Sequence, residues 1–163
     1  LVLAQNPSPV KRGYVEFESL SGLYGEPRVE INLGKAMLTL AGDVSKHSNP
    51  ENAELFEKLD QIRVLVYDVN DDASGALALI DKLTARIKQE NWAPIVSVNE
   101  NGEKVRIFMK ETDSIMDGLV VMVVGDGDKR RPGKEAVFIN VVGELDPALI
   151  GKVTNALNVN TGI

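Results

Sequence analysis

An α+β fold is predicted, with a mostly antiparallel sheet of about five strands and helices packed on one face. Three observations predict it. Four β-branched, apolar segments follow one another through the second half of the chain, at 95–98, 104–109, 119–124 and 136–142. Their connections are short or polar, which suits antiparallel neighbours, because parallel ones need a long crossover. Apolar stripes at helical spacing mark amphipathic helices before and between the strands.

The elements follow in chain order. Asn6-Pro7-Ser8-Pro9 reads as a linker, since prolines fix φ and remove donors. Tyr14-Val15-Glu16-Phe17 alternates briefly, and Ser21-Gly22-Leu23-Tyr24-Gly25-Glu26-Pro27 reads as a loop. Arg28-Val29-Glu30-Ile31-Asn32-Leu33 alternates again and leads into a helix over 33–46, striped by Leu33, Ala36, Met37, Leu40, Ala41 and Val44. Asn49 and Pro50 read as an N-cap with proline at the first helical position, ahead of a short helix carrying Leu55, Phe56 and Leu59. The period then changes to two at 62–67, a strand. Ala76, Leu77, Ile80, Leu83, Thr84 and Ile87 mark one face of a helix over 74–90, ended by Pro94. Asn101-Gly102 between the next two strands is a hairpin signal, because both residues tolerate positive φ. The runs 119–124 and 136–142 are nearly continuous in apolar residues, as central strands covered on both faces are. Asp146-Pro147 opens a last helix striped by Leu149, Ile150, Val153 and Leu157. With helices on one face, Leu65, Tyr67 and Phe108 lie opposite Val64, Val66 and Ile107 and need a further cover. The N-terminal segment, a helix or a second subunit could supply it.

The 163 residues suit one domain, at 13–163, preceded by a signal-peptide remnant and Pro-rich linker at 1–12. The remnant is read from Val2-Leu3-Ala4, whose small residues fit a signal-peptidase cut after Ala4, so the chain is expected to be exported to the periplasm or cell envelope. A net charge of −6 argues against nucleic acid, which needs a basic face. No run approaches the ~20 apolar residues of a transmembrane helix. Without cysteine the chain has no disulfide, no thiolate nucleophile and no Cys-based metal site, and with one histidine it has no site that needs two.

Candidate sites are few. Asp68, Asn70 and Asp72 place oxygens at alternate positions, as the opening of a calcium loop does. The match then stops: Ala73 stands where glycine should be and Leu79 where the bidentate glutamate should be. The cluster reads first as a strand-to-helix turn capped by Asp72 or Ser74, and only second as a metal site. Lys129, Arg130, Arg131 and Lys134 form a basic hairpin tip, either simply solvated or able to meet an acidic partner or lipid headgroups. Gly127 to Gly133 is one residue too long for a phosphate loop, and Glu135 replaces its Ser or Thr. His47 sits at the polar end of a helix, where an imidazole favours the dipole. Gly-x-Ser-x-Gly, His-Glu-x-x-His and Gly-x-Gly-x-x-Gly do not occur, and none of the 24 acids is marked out as a catalytic pair. Asn140 interrupts an apolar strand; if buried, its amide needs partners in the core or in a pocket. No catalytic residue, metal or cofactor is assigned.

Leu59-Asp60-Gln61-Ile62-Arg63-Val64-Leu65-Val66-Tyr67, the Trp92 segment followed by Val105-Arg106-Ile107-Phe108, and Phe138-Ile139-Asn140-Val141-Val142-Gly143-Glu144-Leu145-Asp146 together resemble the domain-of-unknown-function family 4252, found in exported bacterial proteins. The likeness spans about 29–157. It implies an exported α/β protein and supplies neither an activity nor site residues. The leading expectation is a non-enzymatic cell-envelope module with a protein partner or a second copy of itself. The rival is a small-molecule binder or carboxylate-based enzyme with a pocket beside the sheet. A third expectation is peripheral membrane contact through the basic tip.

Overall fold

The computed structural model describes residues 12–17, 24–69, 74–126 and 133–145. Among them are three helices and six strands. In chain order these are β1 (Val29–Leu33), α1 (Lys35–Ser45), α2 (Pro50–Lys58), β2 (Leu59–Val69), α3 (Ser74–Gln89), β3 (Ala93–Glu100), β4 (Glu103–Thr112), β5 (Ile115–Asp126) and β6 (Lys134–Leu145). The strands form one antiparallel sheet in the order β1-β2-β6-β5-β4-β3. The expected α+β class is present, with six strands where five were expected. The additional strand is β1. Its alternation does lead into a helix, and it also pairs residue for residue with β2, Val29 opposite Val66 through Leu33 opposite Ile62.

Strands β3 to β6 form a meander with tight turns where the local residues permit them. Asn101 and Gly102 take φ of 50° and 78° between β3 and β4. Asp113 and Ser114 take φ of 52° and 66° between β4 and β5 and make the same kind of turn without glycine, a turn the sequence pattern does not announce. After α3, Asn91 takes φ 65° and the Trp92 N–H returns to Ile87 O, so the helix ends just ahead of Pro94.

The sheet separates two apolar clusters. On the first face Leu65, Tyr67, Phe108, Val120, Met122 and Phe138 pack against Ala76, Leu79, Ile80, Leu83 and Ile87 of α3, with Val15 and Phe17 beside them. On the second face Ile107, Leu119, Val121, Ile139 and Val141 cluster with Leu38 of α1 and with Leu55 and Phe56 of α2. The helices therefore divide between the faces instead of sharing one. Of the covers expected for Leu65, Tyr67 and Phe108, the structure supplies a helix, α3, and the N-terminal segment, residues 14–17. The last helix expected from Asp146 lies outside the described residues, as does much of the 125–134 tip.

Two glycines let the N-terminal segment lie against the sheet. A Cβ on Gly118 of β5 would stand 2.4 Å from Gly13 Cα, and one on Gly13, whose φ is +84°, would stand 2.3 Å from Asp117 O. Both obstacles are backbone and cannot swing aside. Gly118→Ala is expected to cost about 2 kcal/mol and to lower Tm by about 6 °C, read by circular dichroism on heating. An unchanged Tm would mean that segment and strand do not touch.

Candidate functional site

The feature that organises the first face is Asn140. It is fully buried on β6, opposite Val120 of β5 and Arg63 of β2. Its Oδ1 accepts from the Val15 N–H at 2.9 Å, and its Nδ2 donates to Gly13 O at 2.8 Å and to Leu119 O at 3.1 Å. Bonding the carbonyl before Tyr14 and the N–H after it is what a residue of a parallel neighbouring strand would do. One side-chain amide thus replaces a strand in holding residues 13–15. The partners also fix its orientation, since an N–H can face only Oδ1 and carbonyls only Nδ2. The expected core role of Asn140 is the one observed.

Arginines hold the rest of this strap. Arg63 donates to Tyr14 Oη at 2.8 Å and to Val15 O at 3.2 Å, with its guanidinium 5.1 Å from the Tyr14 ring centre and 5.8 Å from that of Phe17. Such stacking suits a planar cation half withdrawn from water. Arg86 of α3 donates to Glu16 O at 2.9 Å. Residues 13–17 therefore lie on the sheet as an extended peptide would lie in a groove. They are anchored by side chains from β6, β2 and α3, with Val15 and Phe17 buried beneath. Nothing in the periodicity of the sequence marks Arg63 or Arg86 for this work.

Beside the strap is a cavity of about 480 Å³ lined by Tyr14, Glu16, Arg86 and Glu90. Ligand pockets are usually apolar with a few converging polar groups. Three of the four lining residues are charged, and the Arg86 guanidinium among them already holds Glu16 O. Its Nε is buried without a hydrogen-bond partner among the described residues. The two glutamates would repel an anion approaching Arg86.

Tyr24, Tyr67 and Phe138 form an aromatic group on the same face, with ring centres 5.1 to 6.2 Å apart. Burial first, and Tyr67 second, push the Tyr24 phenol up to about 12. Burial also raises Tyr67, with Glu30 adding to the rise. The Tyr24 hydroxyl is buried and finds no partner among the described residues.

The sites expected from sequence are dispersed. Asp68 is exposed at the end of β2 and pairs with Arg28 at 2.9 Å, and the same guanidinium reaches Glu135 at 2.7 Å. Asn70 and Asp72 lie outside the described residues, and no metal-binding cluster of His, Cys, Asp and Glu occurs among the residues that are described. Of the basic tip, Lys134 is half-buried at the start of β6 and donates to Gly102 O at 3.4 Å. Lys129, Arg130 and Arg131 lie outside the described residues. No described helix is long and apolar enough to cross a membrane.

The apolar stripe expected over 33–46 is only partly packed inward. On α1, Leu38 and Gly42 turn inward, Gly42 approaching the Ala53 carbonyl and the Phe56 side chain of α2. Met37, Leu40 and Val44, adjacent on the helix, stay 54%, 56% and 65% exposed. Positions i, i+3 and i+7 make this one continuous stripe. Ile31 of β1, 41% exposed, lies on the same side of the sheet.

Two outcomes are expected here. Asn140→Leu strands the Val15 N–H and two carbonyls, at a cost of about 4 kcal/mol. It should lower Tm by about 10 °C and abolish hydrogen-exchange protection at the Val15 amide. Retained protection would mean that something other than Asn140 holds the strap. In alkali, an unfolded tyrosine ionises near pH 10 and folded Tyr24 near 12, so the stability present below pH 10 declines as pH rises from 10 to 12. Tyr24→Phe is expected to flatten that decline and to keep or raise Tm at pH 7, because it removes an unbonded hydroxyl. An unaltered alkaline limb would locate the titration elsewhere.

Among known protein families, the model of the domain of unknown function DUF4252 matches residues 23–153. No curated protein and no solved structure matches the chain. The match takes in every strand of the sheet and all three helices, and this chain belongs to the DUF4252 family.

Proposed function

We propose that this chain is a non-enzymatic interaction module of the cell envelope, and that its contact surface is the exposed face of α1. The observation that carries the reading is the stripe Met37, Leu40 and Val44. Single exposed apolar residues are ordinary, whereas three on one helix face beside an exposed strand residue form a patch of the kind that marks contact sites. The stripe has a local reason. The apolar arc of α1 is wider than α2 and the sheet can cover, so one edge is buried and the other remains in water. Placement in the envelope belongs to the same proposal and is supported by the Val2-Leu3-Ala4 pattern.

The rival reading, a ligand or carboxylate chemistry beside the sheet, has the Tyr14–Glu16–Arg86–Glu90 cavity as its location, and the charged lining weighs against it. Peripheral attachment through the basic tip must act against a net charge of −6. The discriminating experiment is a crosslinked pull-down from the native envelope with the unaltered chain and with Leu40→Glu. A reproducible partner, lost in Leu40→Glu while Tm stays within about 1 °C, is expected. Identical recovery by both chains would remove α1 as the contact surface.

A further inference from the structure

The two edges of the sheet are built differently, and the difference points to what one of them is for. The β3 edge is guarded. Pro94 has no N–H to offer, the register slips between Pro94 and Val96, and the Val98 carbonyl is taken by Arg106 at 3.0 Å. The β1 edge has none of these devices. Val29-Glu30-Ile31-Asn32-Leu33 contains no Pro, Gly or Lys, pairs with β2 without a bulge, and has no second strand neighbour among the described residues. Glu30, Ile31 and Asn32 are exposed. Such an edge is a template for another strand.

We infer that β1 pairs antiparallel with β1 of a second copy of this chain, about a two-fold axis through Ile31, to give a continuous twelve-stranded sheet. This deepens the interaction reading and rests on it. A two-fold axis normal to the sheet keeps like faces together, so residues opposed across it must share a face. An axis at Glu30 or at Asn32 engages only three β1 residues from each copy, and the one at Glu30 sets that carboxylate against its own copy. The axis at Ile31 engages all five. It opposes Ile31 to Ile31 and Val29 to Leu33 on one face, and Glu30 to Asn32 on the other. Asn32 is prepared for that contact: its Oδ1 accepts from Gln61 at 3.1 Å, so its amide N–H groups can turn toward Glu30 of the other copy. The axis also leaves both α1 helices on one side of the joined sheet. Ile31, Met37, Leu40 and Val44 expose on the order of 400 Å² per copy, about half of the ~800 Å² per partner of a specific interface. The β1 backbone, Glu30 and Asn32 add to it.

The test uses the full chain, which has no cysteine of its own. Sedimentation velocity over a concentration series is expected to show a monomer–dimer equilibrium. Ile31→Cys should give a disulfide-linked dimer on mild oxidation, and Ile95→Cys on the guarded edge should not. Asn32→Glu sets carboxylates opposite each other twice and should weaken the dimer at least tenfold, and adding Glu30→Lys should restore it. A chain that stays monomeric at about 100 μM, or that links through Ile95→Cys and not through Ile31→Cys, overturns the pairing. A monomer that still recovers an envelope partner through α1 would overturn the pairing and leave the wider reading standing. A dimer linked through Ile31→Cys whose pull-down is indifferent to Leu40→Glu would sustain the pairing and remove the α1 reading.

Discussion

The rest of the first face depends on one buried amide. Asn140 sits at zero exposure within an otherwise apolar run of β6, and an unbonded amide there would be costly. It escapes that cost by making three bonds, two of them to a segment more than a hundred residues away in sequence. Because those bonds need the Gly13 carbonyl and the Val15 N–H at fixed positions, they set the height and direction of the strap. The strap in turn delivers Val15 and Phe17 into the cluster beneath α3. Gly13 and Gly118 are the steric counterpart, since only residues without Cβ let the two backbones approach so closely. Bonding and packing thus specify the same arrangement, which is the consistency expected of a sequence that encodes one structure.

Most of the sheet was legible in the sequence because its signals are local. Asn101-Gly102, the alternation at 62–67 and the apolar runs of β5 and β6 each declare themselves within a few residues. What was missed depends on contacts that no local window contains. β1 has only five residues, and its alternation becomes a strand because β2 lies beside it in register. The division of helices between the faces could not be read from amphipathicity, which shows that a helix has an apolar side but not which layer receives it. Asn140 was visible as an oddity within an apolar run, whereas its partners were not. Arg63 and Arg86 look like ordinary surface charges until the strap places carbonyls within their reach.

The same limit explains why the expected contact surface moved. Leu65, Tyr67 and Phe108 seemed surplus only while the strap and α3 were unplaced; once placed, these side chains are core. Met37, Leu40 and Val44 repeat at helical spacing, the pattern of a helix that packs in a core. Spacing, however, records that residues share a face and is silent on whether anything packs there. The α1–α2 pair approaches through Gly42 and Ala53, with Leu38 turned into the cluster beneath, and Met37, Leu40 and Val44 are left to water.

An exposed apolar stripe on a chain of net charge −6 also bears on the kind of surface it can meet. Long-range repulsion opposes contact with anionic lipid, and it would have to be offset by basic residues. Of the tip's four, Lys134 is half-buried and turned toward Gly102. Against another folded protein the same charge is a smaller obstacle, because screening confines it to about 8 Å at physiological salt while apolar burial and strand hydrogen bonds act on contact. The ion pairs of Lys46 with Asp43 and Glu57 rim α1 on its polar side, away from Met37 and Leu40. An apolar stripe with its paired charges on the opposite side of the helix, near a strand edge that carries neither proline nor bulge, suits contact with another folded protein.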